Sequence, residues 1–135
     1  MKDFKSTINN KSASFRNNKE AMKALVSELE GYLKISHLQG NEIALKRAKE
    51  RGKSLTRDKI ARLLDEDSPF LELMPLAGLK HENGFGPGGT TIAGIGLVKN
   101  KLCIINANIG TKKGGVVDYA TSLKNLRLSQ IAKEN

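Results

Sequence analysis

Lys112 and Lys113 stand among glycines in the run Gly110-Thr111-Lys112-Lys113-Gly114-Gly115. The run follows an apolar, strand-like segment from Leu102 to Asn108 and precedes a helical pattern from about Asp118 to Lys133. A Gly-rich turn between a strand and a helix presents backbone N–H groups, and two ammonium groups beside it make an anion cradle. On composition alone, a loop carrying a surface lysine explains the same residues. A second glycine cluster, Gly84-Phe85-Gly86-Pro87-Gly88-Gly89, has no following Gly-Lys-Ser/Thr and leads into a strand. It fits neither a P-loop nor a dinucleotide fingerprint, and reads as a loop that lets backbones approach closely. Gly94 and Gly96 lie inside a strand pattern, where glycine marks a bulge or a neighbouring backbone pressed close.

Other reactive side chains form no recognisable catalytic set. His37 and His81 have no acid at a telling spacing and read as surface histidines. Asp65, Glu66 and Asp67 cluster in a turn, as solvated or capping groups. Cys103 lies in an apolar run and reads as a small buried hydrophobe. One cysteine allows no internal disulfide, and with two histidines it gives no convincing metal site. No catalytic residue and no metal ligand is therefore assigned.

The elements that must position these groups are legible from hydrophobic spacing. Residues 1–17 are polar and basic, and read as a flexible basic arm. Met22, Leu25, Val26, Leu29 and Leu33 recur at helical spacing from Asn18 onward, to an end between His37 and Gly40. A second helix is predicted over Asn41 to Arg51, stopping at Gly52. A third starts at Thr56, as a possible N-cap, and runs through Ile60, Leu63 and Leu64. Phe70 to Leu73 is a short strand candidate. Thr91 to Val98 and Leu102 to Asn108, joined by Lys99-Asn100-Lys101, predict an antiparallel hairpin. Tyr119, Leu123, Leu126 and Ile131 are at helical spacing in the last segment. The fold class is α/β, arranged as α+β in this segment. Two or three strands make a marginal sheet, so an exposed apolar face and self-association are expected.

The totals fit one domain of 135 residues. Mean hydropathy is −0.39, and no stretch approaches the roughly 20 apolar residues of a membrane span. The start, Met1-Lys2-Asp3-Phe4-Lys5, is followed by no apolar block, which argues against a secretory signal and for a reducing, cytoplasmic setting. The formal net charge is +9. Between Lys46 and Arg62 eight basic residues face only Glu50 and Asp58. Such a surface attracts phosphates of any kind, although a solvated helix face explains it equally well. With 4% aromatic residues and no Trp, it lacks the stacking groups of a nucleic-acid binder.

Several phrases taken together resemble a known family. Arg51 to Ile60, Leu63-Leu64-Asp65 and Ser68-Pro69-Phe70-Leu71-Glu72-Leu73 are similar to the N-terminal part of the carboxyltransferase (beta) subunits of biotin-dependent acyl-CoA carboxylases. The resemblance continues in order through Pro87-Gly88-Gly89, Ala93-Gly94-Ile95-Gly96, Ala107-Asn108, Thr111-Lys112-Lys113-Gly114-Gly115, Lys124, Leu126-Arg127 and Ile131-Ala132. It covers residues 20–135, and the Lys-Gly-Gly form looks closest to the methylcrotonoyl-CoA or geranyl-CoA type. The chain departs from the family's usual residues at Gln39-Gly40, Ala48, Ile109 and Val117-Asp118-Tyr119.

The resemblance implies a partial crotonase-like (ClpP/crotonase) fold with an N-terminal helical extension. It divides the chain into a basic arm over 1–17, a helical region over 18–66, and from 67 to 135 the truncated start of an acyl-CoA carboxyltransferase N-terminal domain. It implies transfer of a carboxyl group from carboxybiotin to an acyl-CoA such as 3-methylcrotonoyl-CoA. The oxyanion-stabilising segments lie outside this chain, so the isolated chain is expected to be inactive. Lys113, Gly114 and Gly115 become CoA contacts. CoA thioester is the implied substrate, and biotin is carried by a partner carboxylase subunit rather than bound covalently here. Further carboxyltransferase chains are implied partners in a homo-oligomer, with no membrane. The implied compartment is the cytoplasm, or the mitochondrial matrix in a eukaryote. The alternative is a small basic binding or assembly module without catalysis.

Overall fold

A computed structural model describes residues 6–135. The first five residues of the expected arm lie outside them. The chain divides into two compact units, Met1–Tyr32 and Leu33–Asn135.

The described part of the first unit is a non-helical stretch over 6–12 followed by the first part of helix α1, Ala13–Ser36. The helix begins before the expected Asn18, because Ser12 caps it. Its hydroxyl accepts the Phe15 N–H at 3.1 Å, and its carbonyl accepts the Arg16 N–H at 3.2 Å.

The second unit carries α2 (Glu42–Glu50), α3 (Thr56–Leu63), β1 (Leu71–Leu73), β2 (Thr91–Val98), β3 (Lys101–Asn108) and α4 (Tyr119–Glu134). The strands form one antiparallel sheet in the order β1-β2-β3. Lys99 and Asn100, both with positive φ (51° and 60°), make the two-residue hairpin turn. The expected acidic turn locks it. Asp65 Oδ1 accepts the Lys99 N–H at 2.6 Å and Oδ2 the Asn100 N–H at 2.7 Å.

The core is a cluster of Ile60, Ile92, Ile105 and Ile109, with Leu64, Phe70, Val98 and Ala107 packed around it. It lies between α3 and the sheet. Gly94 and Gly96 serve the close approach that their position predicts. A Cβ on Gly94 would sit 2.6 Å from the Leu71 carbonyl oxygen and against the Phe70 ring, and one on Gly96 would strike the Leu64 side chain.

Three expectations need correction. Thr56 is the first helical residue of α3 rather than its cap, and its hydroxyl donates to the Asn108 carbonyl at 3.0 Å. Leu55, the capping residue, offers no side-chain bond. Gln39 takes over that task, with Oε1 accepting the Arg57 N–H at 2.9 Å. In α4 the buried face is Ala120, Thr121, Lys124 and Leu128, whereas Tyr119 and Leu126 are 66% and 62% exposed. Small residues win that face because Gly89 packs directly on Thr121. Cys103 is half-buried, not buried.

Candidate functional site

One open cleft of about 1010 Å³ lies within the second unit. Its walls are α2, the start of α3, the Gly84–Gly89 loop and the Gly110–Gly115 turn. Two glycine clusters that are separate in sequence therefore meet on one surface.

Local interactions hold these walls. Asn41 caps α2, its Oδ1 accepting the Ala44 N–H at 2.9 Å. Gly40 adopts φ +136°, and a Cβ there would run into the Thr111 carbonyl. The Thr111 hydroxyl donates to the Gln39 carbonyl. Thr56 and Gln39 thus fasten the helical wall to the end of β3 and the segment after it.

The turn itself contains a 3₁₀ helix at Lys113–Gly115, with positive φ at Lys113, Gly114 and Gly115 (51°, 68° and 79°). The turn consumes the N–H groups of Lys112, Gly115 and Val116 in its own bonds to Ile109, Lys112 and Lys113. Less bare backbone faces an anion than the glycines alone suggest, so the lysine side chains carry more of the attraction. Lys113 Nζ sits 5.9 Å from the Phe85 ring centroid, within cation–π range. Lys112 Nζ donates to the Pro87 carbonyl at 3.4 Å. Burial lowers the Lys112 pKa, and Asp118 partly opposes the shift.

Charge defines the cleft. Arg47, Arg51, Lys53, Lys59, Lys112 and Lys113 line it, and none of the lining residues is a carboxylate. The charge run between Lys46 and Arg62 signals this only as a cluster. The fold sorts it: four of its members face the cleft, while Arg57 turns away to Glu72. That pair is bidentate, at 2.8 and 3.0 Å, and fixes α3 to β1. His37 approaches the same carboxylate, with Nε2 3.8 Å from Glu72 Oε2. His81 stacks at 5.9 Å from Tyr119. Neither histidine enters the cleft.

The loop beneath the cleft hangs on α4. Asp118 Oδ2 accepts the Phe85 N–H at 2.9 Å and Oδ1 accepts the Thr121 N–H at 2.8 Å. Burial pushes this carboxyl up, but the hydrogen bonds from Thr121 and Phe85 outweigh burial and lower its pKa. Lys124, 2% exposed, donates to the carbonyls of Gly88 at 3.2 Å and Thr91 at 2.8 Å. Burial brings its pKa down to about 8, with Glu72 raising it and Lys112 and Arg57 lowering it further. Reading the sequence alone misses the roles of Gln39 and Lys124. Lys124 has one signal, as a lysine on the helix face that buries Ala120, Thr121 and Leu128.

A cationic cleft bordered by two Gly-rich turns, on helices packed against an antiparallel sheet, is the arrangement these residues build. The chain belongs to the carboxyl transferase domain family, which it matches over residues 47–135. It is 46% identical over 111 residues to the biotin-dependent 3-methylcrotonyl-coenzyme A carboxylase beta1 subunit of Mycobacterium tuberculosis, covering 82% of this chain and 21% of that protein. It is 40% identical over 125 residues to the mitochondrial methylcrotonoyl-CoA carboxylase beta chain of Arabidopsis thaliana, covering 93% and 21%. Among solved structures, the beta subunit of P. aeruginosa geranyl-CoA carboxylase superposes with a TM-score of 0.84 at 35% identity, over 97% of this chain and 24% of that one. The segment thus has the carboxyltransferase, crotonase-like fold that the resemblance implies. The chain spans about a fifth of the length of these curated relatives. Among the described residues, no helix is long and apolar enough to cross a membrane.

Proposed function

We propose that this chain supplies a CoA-binding wall of an acyl-CoA carboxyltransferase. The reaction moves a carboxyl group from carboxybiotin to an acyl-CoA such as 3-methylcrotonoyl-CoA. One observation carries the reading: six cations and no carboxylate line a cleft bordered by two Gly-rich turns. CoA presents a diphosphate and a 3′-phosphate, which such a surface attracts and orients. Lys113, Gly114 and Gly115 are the proposed contacts, with Arg47 and Arg51 on the α2 wall.

In such a transfer a proton leaves the acyl chain, and the enolate oxygen needs hydrogen-bond donors. No residue of this chain is assigned to that step, so the chain alone is expected to bind without turnover. Its proposed partners are a biotin-carrying carboxylase subunit and further carboxyltransferase chains, in the cytoplasm or the mitochondrial matrix. The proposed division is a basic arm before α1, a helical region from Ala13 to about residue 66 and the carboxyltransferase domain from 67. The relatives' names as biotin-dependent carboxylases support this reading.

Thermal unfolding of the full chain with and without CoA tests it. At 100 times its dissociation constant, a ligand specific for the folded state adds about 2.7 kcal/mol. A melting temperature that rises with CoA, less so in high salt, is the expected result. Salt-sensitive binding to random DNA with no response to CoA would overturn the proposal.

A further inference from the structure

Four lysines line the cationic cleft: Lys53, Lys59, Lys112 and Lys113. Lys53, Lys59 and Lys113 are exposed, whereas Lys112 is half-buried. Its side chain reaches the Gly84–Gly89 loop, where Nζ meets the Pro87 carbonyl at 3.4 Å. That bond is long for an N–H donor and occupies one hydrogen of the nitrogen. No carboxylate lines the cleft to pair with the ammonium.

Such surroundings change the chemistry of an amine. A protonated lysine has no lone pair to give. Desolvation and nearby cations favour the neutral amine, which is a nucleophile. Burial lowers the Lys112 pKa. Lys112 in turn lowers the pKa of buried Lys124, so the two ammonium groups lie close enough to repel. Asp118 opposes the shift, but its oxygens are already held by the N–H groups of Phe85 and Thr121.

We propose that Lys112 is a self-acylation site, whose Nζ takes the acyl group from a CoA thioester held in the cleft. The inference rests on the CoA reading. The neutral amine attacks the thioester carbonyl carbon, the C–S bond breaks and an amide forms. The surplus proton on nitrogen leaves with the CoA thiolate as the thiol, so no further reactant is needed. Binding holds amine and thioester together and raises their effective concentration. The product has lost one of the six cations of the cleft. Acylation therefore weakens further CoA binding and limits itself.

Peptide mapping by mass spectrometry, after incubating the full chain with acetyl-CoA, tests it. Lys112 should be acetylated at least about tenfold faster than Lys99 and Lys101, which are exposed at the hairpin. Its labelling should quicken as pH rises toward the ordinary lysine range near 10.4. Free CoA should suppress labelling of Lys112 and leave Lys99 and Lys101 unchanged. The acetyl thioester of N-acetylcysteamine, which carries no phosphate, should lose most of the preference. Acetylation should also lower CoA affinity in the wild type but not in Lys112→Arg, which keeps the charge. Equal labelling of the three lysines by acetyl-CoA, or labelling of Lys112 that free CoA does not suppress, would overturn the proposal. Calorimetry separates the two readings. CoA that binds without selective labelling removes this proposal alone, and CoA that does not bind removes both.

Discussion

Lys124 Nζ, on α4, donates to the carbonyl of Thr91 at 2.8 Å and so fastens the helix to the first residue of β2. Its second bond, to Gly88 at 3.2 Å, reaches into the loop that borders the cleft. A buried cation with carbonyl partners is an uncommon device. It exchanges a desolvation cost for two fixed points on a glycine-rich segment that has few side chains to anchor it.

Replacing Lys124 by Met leaves two buried carbonyls without their donor and should cost about 1–3 kcal/mol. The pH dependence separates this role from simple packing. Because the folded-state pKa is depressed to about 8, the unfolded chain holds the proton at pH values where the folded chain has lost it. Wild-type stability therefore gains from Lys124 as pH rises from about 8 toward the ordinary lysine range near 10.4. Urea unfolding at about pH 7 and pH 9.5 checks this. The gain should shrink in Lys124→Met, and an equal gain in both proteins would contradict the assignment.

Asp118 makes the complementary link, capping α4 and holding Phe85. Asp118→Ala should lose about 1–2 kcal/mol and loosen the Gly84–Gly89 loop. Its pKa is lowered in the folded state, so its contribution is complete above the ordinary carboxylate range. It is lost as pH falls through the folded-state pKa. Hydrogen exchange at the Phe85 amide reads the link directly: protection should fall in the variant at neutral pH, and in the wild type only in acid.

Two glycines should respond in opposite directions to alanine. Gly94→Ala places a methyl group 2.6 Å from the Leu71 carbonyl, where the β1 backbone cannot yield. A loss of about 2–3 kcal/mol is expected, measured by denaturant unfolding. Gly31 lies in α1 with nothing within 4 Å of its would-be Cβ. Gly31→Ala should raise helicity, by roughly 1 kcal/mol of propensity, read by circular dichroism.

The elements were legible because hydrophobic spacing and turn chemistry are local. Lys99-Asn100-Lys101 between two apolar runs predicts the hairpin, and the helical patterns beginning at Asn41 and Asp118 start at the residues that turn out to be caps. The Gly-rich loops and the basic run were also visible. Their meeting in one cleft was not, because Thr56 reaches Asn108 and Gln39 reaches Thr111 across long stretches of chain. Helix faces were harder. The Tyr119, Leu123, Leu126 stripe marks a helix correctly, yet burial goes to the neighbouring face with Ala120, Thr121 and Lys124. That choice depends on a tertiary partner, Gly89, which spacing within α4 cannot reveal. Family resemblance, by contrast, came from many short phrases in order, and the match over residues 47–135 bears it out.

The most direct test of the account is calorimetric titration of CoA into the full chain. Saturable binding to one site per chain is predicted, weakening as salt rises. Lys113→Glu in the Gly-rich turn and Arg47→Glu on α2 should each reduce affinity at least about fivefold, or about 1 kcal/mol. No binding at millimolar CoA, or binding that neither charge reversal changes, would contradict it.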